Sequence, residues 1–476
     1  MQVLKKFLLV FMCLALSCCS SSSVVRDEGG ADSYTTEISE IGISSSRSFR
    51  VGMLLPLSGA DARYGQGLKN ASMLALNDIK NPNLVIQYYD TASTSAGARV
   101  AIQNAVNQRA QLILGPLKSG EVSAISNETI YQGIPVIAFS TSPEVLQPTI
   151  YTLGLLIDEQ IDRVMTYAAQ NGRKRFALLL PDNNTGIAVA RAAVKSANKN
   201  NAMINIIAFY QPGTSDFSEL AKQMTDYQAR HRQIESLKYK LKNMADSGDV
   251  AAQRELKLIE NKEGVGDVGF DAVLFPEGGV TLTAAASIFA YYDAGYPEIQ
   301  FLGTSMWETG VSNKEATVQK SLYPALKRHK NSGFAAQYYN MFKEKPSSLY
   351  TLGYDAVVLA DQLSKSPNSY GLNSDITSFA GFDGLNGRVR FFADGTNQHA
   401  LDIVSVSAQG GNVVADGDKY FETLSQGMPA IDADMIYTTP RIIGKDASLA
   451  QVLIYGKVID SIEQPQRTVT EEISAY

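Results

Sequence analysis

From Phe49 onward the chain alternates short apolar runs with segments of helical periodicity, and this alternation restricts it to a small set of architectures. Phe49–Leu55 reads as a strand, and 67–80 then sets Leu68, Ala71, Leu74, Ala75 and Ile79 on one helical face. A second strand, 84–89, ends at Asp90. A helix over 96–108 precedes a strand at Leu112–Leu114, and another helix precedes a strand over 134–139. Four strands alternating with helices predict a parallel, doubly wound sheet. The rhythm restarts with a helix over 157–171, a strand over 175–180, a helix over 187–200 and strands over 203–210 and 272–275. A helix at 282–294, a strand at 299–302 and helices near 333–342 and 351–364 follow, so a second α/β layer is expected. Open α/β sheets place ligands outside the carboxyl ends of their strands. The loops after Leu55, Leu114, Phe139, Leu180, Phe275 and Leu302 are therefore the ones to inspect.

Composition narrows the function classes. The 48 Asp+Glu against 42 Lys+Arg give a net charge of -6, which argues against a general nucleic-acid binder. All three cysteines, Cys13, Cys18 and Cys19, precede residue 20, so the folded region is expected to hold no disulfide and no thiol chemistry. The three histidines, His231, His329 and His399, are far apart with no neighbour at metal-ligand spacing. Ser196-Ala197-Asn198-Lys199 lacks the companion motifs of a Ser-x-x-Lys enzyme, and no glycine-rich phosphate loop follows a strand. The expectation is a protein with no catalytic activity, no cofactor and no metal.

The N-terminus reads as an address. Lys5 and Lys6 precede the apolar run Phe7–Leu16, too short to span a hydrocarbon core of about 30 Å, and Ser17 precedes Cys18. Leu14-Ala15-Leu16-Ser17-Cys18 resembles a bacterial lipobox, which implies a signal peptide over 1–17 and lipidation of Cys18; a plain cleaved signal is the alternative. Several acyl chains at about 0.8 kcal/mol per buried CH₂ anchor stably where one does not. Residues 18–47, Ser-rich and without apolar periodicity, read as a flexible tether. The expected location is the cell envelope, on the periplasmic face of the outer membrane.

The predicted loops carry a resemblance that covers nearly the whole domain. Met53-Leu54-Leu55-Pro56-Leu57-Ser58-Gly59, Tyr64-Gly65 with Gly67, Leu114-Gly115-Pro116, Gly133-Ile134-Pro135-Val136-Ile137, Tyr210 with Gly213, Asp216 and Phe217, and Tyr354-Asp355-Ala356 stand in one order and spacing. That set resembles the type I periplasmic binding proteins, most closely their leucine/isoleucine/valine-binding branch. The resemblance implies an α/β fold of two lobes joined by three crossovers, each lobe a doubly wound, mostly parallel sheet, closing on a small ligand. Lobe one is expected over 48–148 and 305–395, and lobe two over 149–304 and 396–440, with 441–476 unassigned.

Candidate ligand-binding residues follow from the loops and the resemblance together. Gly115-Pro116-Leu117-Lys118-Ser119-Gly120 offers close backbone approach and free amides at a helix start, suited to a carboxylate. Ser119 equally suits a helix cap. The resemblance implies that Ser140, Thr141 and Ser142 contribute backbone and hydroxyl contacts, and that Glu277 receives a ligand ammonium; a capped turn and a solvated Glu are the bland alternatives. Ser58, Tyr64 and Gly120 complete the lobe-one set. Thr185 stands where amino-acid receptors carry an aromatic residue, and Trp307, at a crossover, belongs either to the core or to the cleft wall.

One departure points elsewhere. More than fifty residues separate Asp216-Phe217 from Asp271-Ala272, where the resembling family uses roughly twenty. Leu220, Met224, Tyr227, His231, Ile234, Leu241 and Ala245 follow a helical seam, and Asp249 is placed to cap a return helix, so a helical-hairpin insertion is expected over about 220–262. Residues 228–262 carry eight Lys and Arg against five acids. This is either a solvated face or a docking arm. Gly115-Pro116-Leu117 with Val122, and Leu349-Tyr350-Thr351-Leu352-Gly353-Tyr354-Asp355-Ala356, also resemble the lipoprotein activators of penicillin-binding proteins. These implications leave two expectations: an activator-like regulator of peptidoglycan synthesis that contacts a penicillin-binding protein, favoured by the tether and arm, and a receptor delivering an amino acid to an ABC permease. Both imply a small ligand in the cleft, a membrane anchor through lipid, and no nucleic acid.

Overall fold

The computed structural model describes residues 48–310, 315–327, 332–366, 371–423 and 439–456. The expectations for 1–17, for the whole 18–47 tether including Cys18, and for His329 lie outside the described residues.

The first sheet comprises β1 (Phe49–Leu55), β2 (Leu84–Asp90), β3 (Leu112–Leu114), β4 (Val136–Ala138) and β5 (Ile150–Thr152), parallel throughout, in the order β2-β1-β3-β4-β5. Between them run α1 (Ala62–Ile79), α2 (Ser95–Asn107) and α3 (Ser119–Gln132). β1 is buried everywhere except at Arg50, because helices cover both faces; its apolar run is the signature of that position. On one face Leu54, Ile113 and Val136 cluster with Ala98, Ile102, Val122 and Ile125. On the other, Met53, Leu55 and Leu114 cluster with Leu68 and Ala75. The strand order reverses between β1 and β3, so the loops after these two strands diverge and leave a crevice.

The chain then builds a second lobe from α4 (Ile157–Gln170), β6 (Arg175–Pro181), α5 (Asn184–Lys199), β7 (Met203–Tyr210), α6 (Ser218–Met224), α7 (Tyr227–Asp246), α8 (Val250–Ile259), β8 (Ala272–Leu274), α9 (Gly279–Tyr291), β9 (Gln300–Leu302), α10 (Trp307–Gly310) and β10 (Leu322–Ala325). It returns to the first lobe with α11 (Ser332–Phe342), α12 (Thr351–Ser364) and α13 (Leu372–Ile376). An antiparallel sheet of β11 (Phe382–Gly384), β12 (Gly387–Phe391) and β13 (Asn397–His399) follows. The last elements, β14 (Asp402–Ser407), β15 (Gly410–Ala415), α14 (Gly417–Thr423), β16 (Arg441–Ile443) and α15 (Ala447–Tyr455), complete the second lobe. Its sheet runs β15-β14-β10-β9-β8-β6-β7-β16, antiparallel only where β14 meets β10 and β15.

Two expected boundaries differ. β10 pairs with β9 and β14, so Leu322–Ala325 belongs to lobe two and the return to lobe one comes later than residue 305. Pro324 inside a four-residue run hides this strand from pattern reading. Lobe two also extends past 440: β16 lies parallel to β7, and Ala450 and Ile454 of α15 join the cluster around Ala190 and Val194.

The insertion is a helical hairpin. Asp226, at φ 48°, separates α6 from α7, so the seam is broken there rather than continuous. Ile234, Leu241 and Ala252 are buried, and the Asp249 carboxylate caps α8 by accepting from the amides of Ala251 and Ala252 at 2.8 and 3.1 Å. Arg230, counted among the arm's cations, is instead buried, with its guanidinium donating to the carbonyl of Tyr292 at 2.9 Å.

Candidate ligand site

The crevice of lobe one is assembled by polar side chains at strand ends. The Asp90 carboxylate, closing β2, accepts from the amides of Leu57, Ser58 and Ala92 and from the Ser58 hydroxyl at 2.6 Å. Burial would push this carboxyl up, but those hydrogen bonds outweigh it and hold it below the ordinary Asp range. Ser58 is thus committed to the scaffold. Ser93 donates to the Ser58 carbonyl and accepts from the Asp61 amide, and Lys118 forms an ion pair with Asp61. These contacts fix the loops after β1, β2 and β3 relative to one another.

Gly115 makes the close approach possible. It sits at φ 84°, and a Cβ there would lie 2.2 Å from the Leu54 carbonyl oxygen. Lys118 occupies the cap position of α3 without a side-chain cap, so Ser119 opens the helix rather than capping it. The first amides of a helix have no carbonyl one turn back to bond. Together with the helix dipole they favour an anion.

An open pocket of about 490 Å³ lies at this point, lined by Ser119, Gly120, Ser140, Thr141 and Ser142 from the predicted loops, with Leu117, Phe139 and Leu349 as its apolar wall. Ser140 is buried, and its hydroxyl accepts from the Ser142 amide at 3.1 Å, while Thr152 donates to its carbonyl. Lys118 lines the pocket from the expected loop after β3, and Ser93, Ser95 and Glu121, which stand outside the expected set, line it too. The loop after β2 is not among the loops expected to hold ligand, although Ser93-Thr94-Ser95 offers the same hydroxyl signal as Ser140-Thr141-Ser142. Tyr64 is half exposed on the first turn of α1 and lies outside the pocket lining.

The lobe-two candidates do not line this pocket. Glu277 follows β8, is partly buried, and lies beside the Tyr210 hydroxyl; burial first, then this carboxylate, pushes the Tyr210 phenol up. Trp307 is 1% exposed, and its indole donates to the Glu277 carbonyl at 2.8 Å. It therefore holds the Glu277 loop from the core. Thr304 braces the same loop by donating to the Pro276 carbonyl at 2.9 Å. Thr185 is exposed in the first turn of α5, where Asn183 is the cap and accepts from the Gly186 amide.

The crossovers between the lobes are tied by buried polar contacts. Asn397 donates to the carbonyls of Thr152 and Gly154, Gln160 accepts from the Ser305 amide, and Glu159 meets both the amide and the ring of His399. A family model described as periplasmic binding protein matches residues 48–412. The chain belongs to the periplasmic binding protein family. Among the described residues, no helix is long and apolar enough to cross a membrane and no metal-holding cluster of His, Cys, Asp and Glu occurs.

Within this family, sequence similarity is distant. An uncharacterised protein of Rickettsia prowazekii is 23% identical over 226 residues, covering 48% of this chain and 58% of its own length. The Leu/Ile/Val-binding protein BraC3 of Rhizobium johnstonii is 23% identical over 188 residues, covering 37% and 50%. The chain thus spans about half the length of the curated relatives it matches. Among solved structures, a putative branched-chain amino acid ABC transporter protein from Rhodospirillum rubrum superposes with TM-score 0.58 at 16% identity, over 77% of this chain and all of that one. The C-domain of LpoA from Haemophilus influenzae, described as a regulator of PBP1A, gives TM-score 0.54 at 16% identity, over 77% and 100%. Full-length LpoA gives 0.55, with 59% of that chain covered. At these identities the likeness is one of fold, and the periplasmic binding protein fold serves both solute binding and regulation among these neighbours.

Proposed function

We propose that the chain is a non-catalytic, periplasm-facing binding protein whose cleft takes a small solute bearing a carboxylate, of the amino-acid class. The observation that carries this reading is the lobe-one pocket, where the start of α3 and the hydroxyls of Ser119, Ser140, Thr141 and Ser142 converge beside an apolar wall. Helix amides and hydroxyls suit a carboxylate, and Leu117, Phe139 and Leu349 suit the apolar part of a ligand. A ligand that touches both lobes favours the closed state and shifts the population toward it. Lipidation at Cys18 and release of 1–17 complete the proposal, placing the protein on the outer membrane. Thermal unfolding with each common amino acid tests the reading: ligand at a hundred times its dissociation constant stabilises by about 2.7 kcal/mol. No shift with any of them would refute it.

A second reading, regulation of a penicillin-binding protein by contact, is favoured by the α7–α8 arm. Tyr239, Met244, Val250 and Leu258 are exposed there alongside Arg232, Lys240, Lys242, Arg254 and Lys257. Apolar and basic groups combined on a projecting element suit an acidic protein partner. Pulldown of a penicillin-binding protein, lost when 228–262 is deleted, supports this role; retention after deletion excludes the arm.

A further inference from the structure

We infer that Glu121 of lobe one, rather than Glu277 of lobe two, is the counter-charge for the ligand's ammonium, so that a single lobe holds both ends of a zwitterion. The inference rests on the reading that the cleft takes an amino-acid-class solute.

Glu121 lines the same pocket as Ser119 and Gly120, whereas Glu277 does not. Its side chain is almost fully buried, with 2% of the residue exposed. Oε1 accepts from the Thr91 hydroxyl at 3.2 Å, and Oε2 is buried without a hydrogen-bond partner among the described residues. A carboxylate oxygen in that state is costly unless something arrives to bond it. The charged groups around it do not complete it. Lys118 is the cation nearest in sequence, but its ammonium is paired with Asp61, and Asp61 itself adds a like charge. Burial, the largest influence, pushes the Glu121 carboxyl up despite the Thr91 hydroxyl and the Lys118 backbone and charge.

The location sharpens the point. An acidic group beside an anion-binding helix start would repel a ligand carrying only a carboxylate. It would attract one that brings a cation a few ångströms from its carboxylate, which is the geometry of an α-amino acid. Glu277 faces a different neighbour, the buried Tyr210 hydroxyl, and its loop is fixed through its backbone by Trp307.

The test uses the full chain and three matched pairs: L-leucine with 4-methylpentanoate, L-glutamate with glutarate, and L-lysine with 6-aminohexanoate. Calorimetric titration of wild type is expected to favour the α-amino member of whichever pair binds. Glu121→Gln is expected to weaken that amino acid by about tenfold to a hundredfold, the scale of one hydrogen bond to a charged group, while its des-amino partner, relieved of the like charge, binds as well as to wild type or more tightly. Glu277→Gln is expected to keep the discrimination within threefold of wild type. If Glu121→Gln does not fold, Glu277→Gln decides alone: retained discrimination supports the inference and lost discrimination overturns it. Discrimination that survives Glu121→Gln and vanishes in Glu277→Gln overturns the inference and leaves the receptor reading standing. No binding by either member of any pair overturns both.

Discussion

Nδ1 of His399 lies 2.9 Å from Oε1 of Glu159, with both side chains less than a tenth exposed, and the His399 amide donates to Oε2 of the same carboxylate at 2.8 Å. Glu159 also accepts from the Leu156 amide at 3.0 Å, so one side chain joins the first turn of α4 to β13 at the crossovers. Burial would lower the His399 pKa, but the Glu159 charge and hydrogen bond, with Asp355 further off, outweigh it and raise it. A histidine raised on folding contributes stability that is complete below its unfolded pKa near 6.5 and is lost as pH rises through its higher folded value. Glu159→Gln is therefore expected to cost about 3 kcal/mol at pH 6, and clearly less at pH 9. Urea unfolding at the two pH values checks this, and an equal loss at both would contradict it.

Asp355 supplies a second pH-dependent contact. Its carboxyl accepts from the Leu385 amide at 2.6 Å, from the Asn386 amide at 3.2 Å and from the Asn386 side chain at 2.9 Å, pinning the β11–β12 turn to α12. Burial pushes its pKa up to about 6, against the pull of those donors. A carboxyl raised on folding binds more protons in the native state between its unfolded and folded values, so stability falls as pH rises through about 4 to 6. Asp355→Ala removes the acceptor of these three hydrogen bonds and is expected to cost about 2 kcal/mol at pH 5. At pH 8, where the wild type carries a desolvated charge, the cost is expected to be smaller. Thermal unfolding of both proteins at the two pH values is the measurement.

The parallel core was legible because β1, β3 and β4 are buried on both faces and therefore appear as unbroken apolar runs. β13 was not: Asn397, Gln398 and His399 are all polar yet all buried, since Asn397 and His399 bond Thr152 and Glu159, more than two hundred positions away, and Gln398 accepts from the buried Arg390. β16 is three residues long and gains its place by pairing with β7 and by the contacts of Arg441 with Gln223 and Asp226, none of which local pattern reveals. The same division holds at the site. Ser119, Ser140, Thr141 and Ser142 follow strands that periodicity locates, so these four of the pocket's hydroxyls are legible, while Ser93 and Ser95 are not singled out. Glu121 looks in sequence like any acid in a first helical turn, and only its burial and unpaired oxygen mark it out.

Gly115 offers a test of the crevice itself. Gly115→Ala would put a Cβ 2.2 Å from the Leu54 carbonyl at a φ of 84°, so the loop must shift or the sheet must yield. A loss of at least about 2 kcal/mol is expected, since backbone in that region costs about 1–3 kcal/mol for a residue with a side chain. Because Leu54 lies at the carboxyl end of β1, beside the crevice, the strain should reach the pocket and weaken ligand. Thermal unfolding and titration together check this, and an unchanged melting temperature would show that the close approach is not required.

Trp307 is the single tryptophan of the chain and can report on the Glu277 loop. Its ring packs near Tyr323 and against Gly303, where a Cβ would lie 2.1 Å from the indole. Fluorescence emission is expected to be blue-shifted and poorly quenched by acrylamide. Trp307→Phe removes the donor to the Glu277 carbonyl along with part of the packing, and is expected to cost about 2 kcal/mol. Glu277→Ala, by contrast, leaves that carbonyl in place, because the indole bonds the backbone and not the carboxylate. Emission in Glu277→Ala should therefore match wild type. A red shift in that variant would mean that the carboxylate, through Tyr210, helps to hold the loop.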